Sequence, residues 1–190
     1  MEDFKRNSLL NKVPIITDEG LTFICNYIKQ HNCKEILEIG TAVGYSAINF
    51  SLANDTNVTT IERDKEMYEA AKENIHKFLR EDYVKVIFSD ALEFDDKKLE
   101  KKYDILFIDA AKAQYEKFFC KYSPYLNDCG VIICDNLNFH GWTNKTVFPS
   151  RNLKQLVKKI NLFKDFLKRN ENYNTIFYDI GDGMSISKKK

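Results

Sequence analysis

The 190-residue sequence lacks the features that mark secreted, membrane-spanning or strongly basic proteins. Lysine and arginine total 29 against 28 acidic residues, so the net charge of +1 creates no overall field that attracts polyanions. No apolar run approaches the roughly 20 residues that span a bilayer. The first six residues, MEDFKR, also lack the apolar core of a secretory signal. We therefore expect a cytoplasmic protein without a membrane partner.

Several common site signatures are missing as well. The five cysteines are odd in number and form no Cys-x-x-Cys pair, which indicates free thiols in a reducing compartment. Only three histidines occur, no Ser/His/Asp arrangement stands out, and a Walker-type phosphate loop is absent. No repeat or low-complexity linker divides the chain, and its length suits a single domain over residues 1–190.

What the sequence does contain is an alternation of short β-rich runs with amphipathic helical stretches. The runs predicted as strands are 35–39, 58–62, 84–88, 104–109 and 130–134. Several are apolar almost throughout, as expected for strands covered on both faces. Helical spacing follows Thr17 and Asp64, residue types that suit an N-cap. The alternation predicts an α/β fold with a parallel sheet and helices on both faces.

The C-terminal part departs from this alternation. A basic helical stretch over about 152–169 precedes two β-like runs, 175–180 and 184–187. The two runs are separated by Gly181-Asp-Gly183, which is a turn signal. This pattern predicts an antiparallel hairpin that closes one edge of the sheet.

A glycine-containing turn follows the first predicted strand in the segment Glu38-Ile-Gly40-Thr41-Ala-Val-Gly44-Tyr-Ser46. Glycine lets the backbone turn sharply and approach a ligand closely, and the next helix begins with free N–H groups. Glu62 ends the second strand 22 residues after Gly40, where an acidic side chain can accept hydrogen bonds from ribose hydroxyls. Asp90 and Ala91 close the third strand, where an adenine would lie.

The spacing in this turn is unlike that of a dinucleotide-binding protein. It is Gly-x-x-x-Gly, with Ala42 and Tyr45 at positions where a dinucleotide fingerprint has glycine. Glu38, two residues before the first glycine, suits a ligand with an ammonium group, such as the methionine moiety of S-adenosylmethionine. The alternative is a tight turn in a Rossmann-like sheet whose crevice binds nothing.

Oxygen-bearing side chains follow the fourth and fifth predicted strands. Asp109 and Lys112 come after one strand, and Asp135 and Asn136 come after the next. Parallel neighbours would place these strand ends side by side, so that two carboxylates and an amide converge. Such hard oxygen ligands suit Mg²⁺, Mn²⁺ or Ca²⁺ better than zinc or copper. Taken singly, each acidic residue is as readily explained as a solvated cap.

The turn 38–46, Glu62, the segment 108–112 and Cys134-Asp-Asn136 together resemble the cation-dependent O-methyltransferase family. That family includes the catechol and caffeoyl-coenzyme A enzymes and small bacterial relatives, and the resemblance extends from about Ile15 to the C-terminus. It implies a Rossmann-like class I methyltransferase fold, with a mostly parallel seven-stranded sheet and a C-terminal antiparallel hairpin. It also implies S-adenosylmethionine as the cofactor and, because relatives are often dimers, a homodimer.

The resemblance assigns roles to individual residues. Asp109, Asp135 and Asn136 would hold the cation, for which Mg²⁺ is the first expectation. Lys112 would be catalytic together with Asp109. The expected cofactor-binding residues are Glu38, Gly40, Thr41, Gly44, Ser46, Glu62, Asp90, Ala91 and Asp109.

Physical chemistry favours the same mechanism. Methyl transfer is an in-line displacement at the sulfonium carbon, so the acceptor oxygen must be close to an anion. A phenol- or enol-like hydroxyl loses its proton more readily on a divalent cation. A lysine beside that cation also holds its proton less tightly, so Lys112 could act as a general base near pH 7. The alternative is a surface lysine that opens a helix.

The tail 178–188 and the basic stretch before it are most similar to bacterial members that methylate 5-hydroxyuridine at the tRNA wobble position. Residues 151–169 carry seven basic side chains against one acid, Asp165, and either hold a phosphate backbone or are simply solvated. Ala110 and Ala111 leave room for a base. We therefore predict tRNA as the partner, with a small catechol, phenol or vicinal diol as the alternative acceptor.

Three residues with ring side chains follow the residues expected to hold the cation. Phe139, His140 and Trp142 either line the acceptor pocket and stack on a base, or pack their own loop. Little sequence precedes Ile15, so the N-terminal part of a substrate lid is expected to be reduced. A non-catalytic nucleotide-binding module is the remaining alternative, and the presence of Asp109 with Lys112 disfavours it.

Overall fold

The computed structural model describes residues 1–190. The helices are α1 Glu2–Leu10, α2 Asp18–Gln30, α3 Tyr45–Asn54, α4 Lys65–Lys77, α5 Tyr115–Tyr122 and α6 Arg151–Arg169. The strands are β1 Glu35–Ile39, β2 Asn57–Glu62, β3 Val84–Phe88, β4 Tyr103–Ile108, β5 Leu126–Cys134, β6 Tyr173–Tyr178 and β7 Met184–Lys189. Single 3₁₀ turns form at Asp96–Lys98, Lys112–Gln114, Ser123–Tyr125 and Trp142–Asn144.

The seven strands form one sheet in the order β3-β2-β1-β4-β5-β7-β6. Strands β1 to β5 pair in parallel, whereas β7 is antiparallel to both β5 and β6. The predicted mostly parallel seven-stranded sheet with a C-terminal hairpin is therefore confirmed. The last strand lies between β5 and β6, so that β6 forms the edge.

Strand and helix ends follow local chemistry. Strand β5 begins at Leu126, four residues before its predicted start, because the exposed Asp128 and Cys129 hide the beginning of the apolar run. The predicted caps are confirmed: Thr17 accepts the Gly20 N–H at 3.2 Å, and Asp64 accepts the Met67 N–H at 3.0 Å.

The apolar core lies on both faces of the sheet, as the apolar strands predict. Ile36, Phe107 and Ile133 pack with α2 and α3 on one face, where Phe50 meets Phe107 edge to face at 5.3 Å. On the other face Leu106 and Ile132 pack with α5 and α6. All five cysteine thiols are free, as predicted. None of the helices is both long and apolar enough to cross a bilayer.

The carboxyl ends of the central strands meet at one edge of the sheet. Ile39 ends β1, and its carbonyl accepts the Asp109 N–H from the end of β4 at 3.0 Å. The carbonyl of Ile108 in turn accepts the Asp135 N–H beyond β5 at 3.3 Å. The loops that follow these strands are thus held side by side, and the candidate site lies there.

Candidate active site

A cavity of about 880 Å³ opens at this edge of the sheet. Its size falls in the range of small-molecule sites. The predicted site residues that line it are Gly40, Thr41, Ser46, Glu62, Asp90, Ala91, Asp109, Lys112 and Asn136. The other three, Glu38, Gly44 and Asp135, are buried and do not line it. The structure therefore brings the predicted residues together around one crevice.

The two glycines of the turn have different reasons to be glycine. Gly40 adopts a φ of +101°, and a Cβ there would overlap the carbonyl oxygen of Asp109. Gly44 caps α3 with a φ of +83° and packs against Ala71. The first glycine thus lets two strand ends approach, and the second permits the backbone turn that begins the helix.

Glu62 organises the same turn. Its Oε2 accepts the Ala42 N–H at 2.9 Å, while its Oε1 accepts the N–H groups of Arg63 and Asp64 at 2.8 Å each. Oε1 thus has both lone pairs engaged, whereas Oε2 can accept one further hydrogen bond. The side chain remains on the cavity wall, where it can still meet a ribose hydroxyl.

Glu38 is fully buried and reaches the cavity only through neighbouring hydroxyls. Its carboxylate accepts hydrogen bonds from Ser46 Oγ and Thr60 Oγ1, each at 2.5 Å, and Thr60 is in turn 2.6 Å from Thr41 Oγ1. Burial raises the pKa of Glu38 to about 7, although both hydroxyl donors oppose the rise. The predicted contact with a ligand ammonium therefore stays a prediction, and Ser46 and Thr41 are the polar groups of this network that face the cavity.

The crevice ends at the loop after β3. Asp90 Oδ1 accepts the Leu92 N–H at 2.8 Å, and Arg63 lies 3.5 Å from its other oxygen. The carbonyl of Ala91 accepts the Tyr122 hydroxyl at 2.6 Å. These contacts fix the wall where an adenine was predicted to lie. Arg63 lines this wall although no sequence signal marked it.

The candidate cation site joins the ends of β4 and β5. Ile108 pairs with Cys134, so the residues that follow them, Asp109 and Asp135, are neighbours. Asn136 has a left-handed φ of +57°, and its N–H donates to Asp135 Oδ1 at 2.7 Å. The Tyr115 hydroxyl donates to the carbonyl of Asp135 at 3.1 Å and secures this loop against α5.

The residues present fit a divalent cation. Asp135 is 1% exposed, and its Oδ2 is buried without a hydrogen-bond partner. Burial and the nearby Asp109 raise the pKa of Asp135 to about 7. Burial also raises the pKa of Asp109, against the attraction of Lys112. Two desolvated carboxylates with a free oxygen are stabilised by a bound cation.

No group of three or more histidine, cysteine, aspartate or glutamate side chains has metal-binding spacing. A cation at this position would therefore need a ligand of another type beside the two carboxylates. The amide oxygen of Asn136, which lines the cavity, has the hard-oxygen chemistry required.

The ring side chains after Asn136 divide between the two predicted roles, lining the cavity and packing their own loop. Phe139 and His140 line the cavity. Trp142 instead packs near Phe148, with ring centroids 6.3 Å apart. The Lys112 amine lies 5.9 Å from the centre of the Phe139 ring, so the lysine and the aromatic loop share the cavity mouth.

Sequence reasoning missed two further parts of the wall. Leu9 and Val13 line the cavity from the N-terminal side, so the N-terminal segment does contribute to the wall, while the expected reduction of the lid stays a prediction. Helix α1 is held there by Phe4, whose ring lies 5.4 Å from that of Tyr45. Asp182, read only as part of a turn, also lines the cavity.

This arrangement defines a class of protein. A mostly parallel sheet with an antiparallel C-terminal hairpin, and a glycine turn facing an acidic strand end, form a Rossmann-like methyltransferase fold. The sequence profile of the O-methyltransferase family matches residues 2–190. The chain therefore belongs to that family, and the predicted S-adenosylmethionine-dependent O-methyltransferase is confirmed at this level.

Similar proteins also carry the names of methyltransferases. The chain is 27% identical to a caffeoyl-CoA O-methyltransferase of Populus kitakamiensis, over 97% of this chain and 82% of the relative. It is 28% identical to a flavonoid 3',5'-methyltransferase of Vitis vinifera, over 100% of this chain and 83% of the relative. The finer resemblance to tRNA 5-hydroxyuridine methyltransferases is untested by these relatives and stays a prediction.

Solved structures show the same fold. A Staphylococcus aureus protein to which caffeoyl-CoA O-methyltransferase activity is ascribed has a TM-score of 0.95 at 41% identity, covering 100% of this chain and 91% of its own. An O-methyltransferase from Bacillus cereus, in complex with S-adenosylhomocysteine (SAH), has a TM-score of 0.85 at 21% identity. The match covers 100% of this chain and 90% of the Bacillus chain. The second likeness concerns the fold alone.

Proposed function

We propose that this chain transfers the methyl group of S-adenosylmethionine to the hydroxyl oxygen of an acceptor that chelates a divalent cation. The observation that carries the proposal is the buried Oδ2 of Asp135, which has no hydrogen-bond partner and lies near Asp109, a residue that lines the cavity together with Gly40 and Glu62. Asp109, Asp135 and Asn136 would hold the cation. When bound, it would lower the proton affinity of the acceptor hydroxyl and fix its orientation.

The chain's own residues have separate tasks in this reaction. Glu62 would hold the ribose, and Ser46 and Thr41 would face the methionine end of the cofactor. Lys112 would take the proton from the acceptor hydroxyl onto its amine. The oxygen then forms a bond to the methyl carbon while the carbon–sulfur bond breaks, and the electron pair of that bond stays on sulfur. S-adenosylhomocysteine and the methylated acceptor are the products.

For the acceptor, we propose 5-hydroxyuridine at the wobble position of tRNA. A 5-hydroxyuracil has an acidic enol beside a carbonyl oxygen, so it can chelate a cation. Helix α6 supports this proposal because it contacts the 3₁₀ turn that begins at Lys112 and the one that begins at Trp142. Its exposed basic side chains therefore belong to an element that packs against the loops bordering the cavity.

A small catechol or other phenol is the second candidate. It is favoured by the relatives named for caffeoyl-CoA and flavonoid substrates. A catechol offers the same pair of adjacent oxygens to a cation as a hydroxyuracil does. The two candidates thus share the chemistry of the reacting group and differ in what surrounds it.

Methyl transfer from labelled S-adenosylmethionine tests the proposal. Purified protein is given tRNA that contains 5-hydroxyuridine or a panel of catechols, with excess EDTA or with added Mg²⁺. We expect label in the tRNA nucleoside fraction with Mg²⁺ and none with EDTA. Full activity in EDTA, or in Asp135→Asn, would overturn the cation mechanism. Rapid methylation of catechols without transfer to tRNA would replace the tRNA assignment by the small-molecule one.

A further inference from the structure

The turn between β6 and β7 is hydrogen-bonded to the loop that follows Asp135 and Asn136. The Leu137 N–H donates to the carbonyl of Gly183 at 2.8 Å, and the Asn138 N–H donates to the carbonyl of Asp182 at 2.7 Å. The Asn138 side-chain amide donates to Asp179 Oδ1 at 3.1 Å. The hairpin therefore supports the loop over several residues rather than touching it at one point.

This loop needs such support because its backbone is strained. Asn136, Phe139 and His140 adopt φ values of +57°, +45° and +53°. Residues other than glycine rarely have a positive φ. Strain of this kind persists only where surrounding contacts enforce it, and it is concentrated at functional sites. The backbone at His140 is thus held in place by the hairpin turn.

Asp182 makes the contact that orients His140. It is 8% exposed, and its Oδ1 accepts the His140 backbone N–H at 2.5 Å. Its Oδ2 has no hydrogen-bond partner, and the nearest ring nitrogen, His140 Nδ1, lies 3.5 Å away. A small rotation of the imidazole, which is 75% exposed, would close that contact into a hydrogen bond.

We propose that Asp182 holds His140 as the Nδ1–H tautomer, so that His140 Nε2 accepts a hydrogen bond from a donor on the methyl acceptor. The proposal rests on the proposed function for the identity of the acceptor, but not for the state of the ring. His140 is then an acceptor-binding residue, and Asp182 is its positioning residue.

The tautomer follows from the carboxylate. An ionised aspartate only accepts hydrogen bonds, so the ring nitrogen that faces it must carry the proton. The opposite nitrogen, Nε2, is then an acceptor on the exposed side of the ring. Lys112 would take the proton of the reacting hydroxyl, whereas His140 would bind a second donor elsewhere on the acceptor. The ring N–H of a hydroxyuracil and the second hydroxyl of a catechol both supply such a donor.

The variant Asp182→Asn separates the two contacts of Asp182. Its side-chain carbonyl can still accept the His140 N–H, which keeps the loop anchored. Its amide group, however, donates toward Nδ1, which moves the ring proton to Nε2 and converts that nitrogen from an acceptor to a donor. Asp179→Asn is the matched control: its side-chain carbonyl can still accept the Asn138 amide, and it makes the same chemical change in the same turn without facing the ring.

Nitrogen NMR of the imidazoles tests the tautomer directly. The chain has three histidines, and loss of one signal set in His140→Ala assigns the ring. At about pH 8.5, where an ordinary imidazole is neutral, we expect Nδ1–H in the parent protein and in Asp179→Asn. We expect Nε2–H in Asp182→Asn. An imidazole free in water favours Nε2–H, so the same Nε2–H pattern in all three proteins would overturn the inference.

Kinetics test the role toward the acceptor. With the acceptor that the methyl-transfer assay identifies, His140→Ala and Asp182→Asn should raise the KM for it about tenfold, as expected for one lost hydrogen bond. The affinity for S-adenosylmethionine and for Mn²⁺ should stay unchanged, as should every parameter of Asp179→Asn. An unchanged KM in both ring variants would refute the acceptor contact. If neither tRNA nor catechol is methylated, the proposed function fails, while the NMR result still decides the tautomer.

Discussion

At the scale of single residues, Glu62 has a structural role, and we propose that it also binds the ribose of the cofactor. Its carboxylate already accepts three backbone N–H groups, from Ala42, Arg63 and Asp64. These bonds shape the glycine turn before any ligand is bound. A ribose that donates to the same carboxylate therefore meets a group whose orientation is fixed, which reduces the entropy lost on binding.

We predict that Glu62→Ala weakens S-adenosylmethionine binding by about 1–3 kcal/mol, because the ribose and backbone donors lose their acceptor. Titration calorimetry measures the loss. Glu66→Ala, which removes an exposed carboxylate from the first turn of α4, is the control and should bind as the parent does. An unchanged affinity in Glu62→Ala would exclude this residue from the site.

Glu38 makes the stability of the cofactor-free protein depend on pH. Its pKa is about 7 in the fold, against an ordinary value of 4.5. Between these values the folded state binds the proton more tightly than the unfolded state does. The contribution of Glu38 to stability therefore falls as the pH rises from about 4.5 to about 7 and is constant above that.

Glu38→Gln has no such titration. The difference in melting temperature, variant minus parent, should therefore be more positive at pH 8 than at pH 5. Differential scanning fluorimetry at both pH values provides the comparison. Glu73→Gln, an exposed change on α4, should show no such difference. A melting-temperature gap between Glu38→Gln and the parent that is equal at both pH values would contradict the raised pKa.

At the scale of elements, helix α6 has one face in the core and one in solvent. Val157, Ile160, Phe163 and Leu167 are buried. Phe163 packs edge to face on Tyr115 at 5.5 Å, which links the helix to the residue that supports Asp135. The basic residues project from the opposite side, so a polyanion could bind there without disturbing the core.

We predict that alanine at Lys154, Lys158, Lys159 and Arg169 together weakens tRNA binding and flattens its salt dependence. Each lost phosphate contact should reduce the slope of log K against log salt by about 0.7–0.9. A filter-binding series over salt concentration measures the slope. Alanine at four exposed lysines elsewhere, Lys65, Lys77, Lys97 and Lys98, should change it much less. Equal losses in both variants would mean that charge alone matters, and the helix would then be a solvated surface.

At the scale of the whole molecule, the last strand joins the two ends of the chain. Strand β7 lies between β5 and β6, and the turn before it contacts Thr17 and Glu19 at the start of α2. Contacts of this kind make separate unfolding of an N-terminal and a C-terminal half costly. We therefore propose that residues 1–190 form one methyltransferase domain.

Calorimetry tests that proposal. We predict one unfolding transition, and a cofactor concentration of about 100 times Kd should stabilise the whole domain by about 2.7 kcal/mol. Two transitions, of which S-adenosylmethionine shifts only one, would show that the chain contains separate units.

The sequence by itself determined the local elements and the residues at the strand ends. Apolar runs and helical spacing depend on neighbours a few positions apart, so β1, β3 and the capped helices could be predicted closely. Asp109 and Asp135 could also be placed together, because parallel neighbouring strands end at the same edge. The glycine turn was visible since Gly44 answers a local need for φ above zero at the start of α3.

Only the tertiary structure decided which distant segments complete the cavity. Asp182 reaches His140 because β7 inserts beside β5, and no local pattern encodes that strand order. Leu9 reaches the cavity because Phe4 packs α1 onto the fold, a contact between segments that are far apart in sequence. The strained loop at His140 has the same origin, since a backbone outlier is stable only where contacts from elsewhere in the fold hold it.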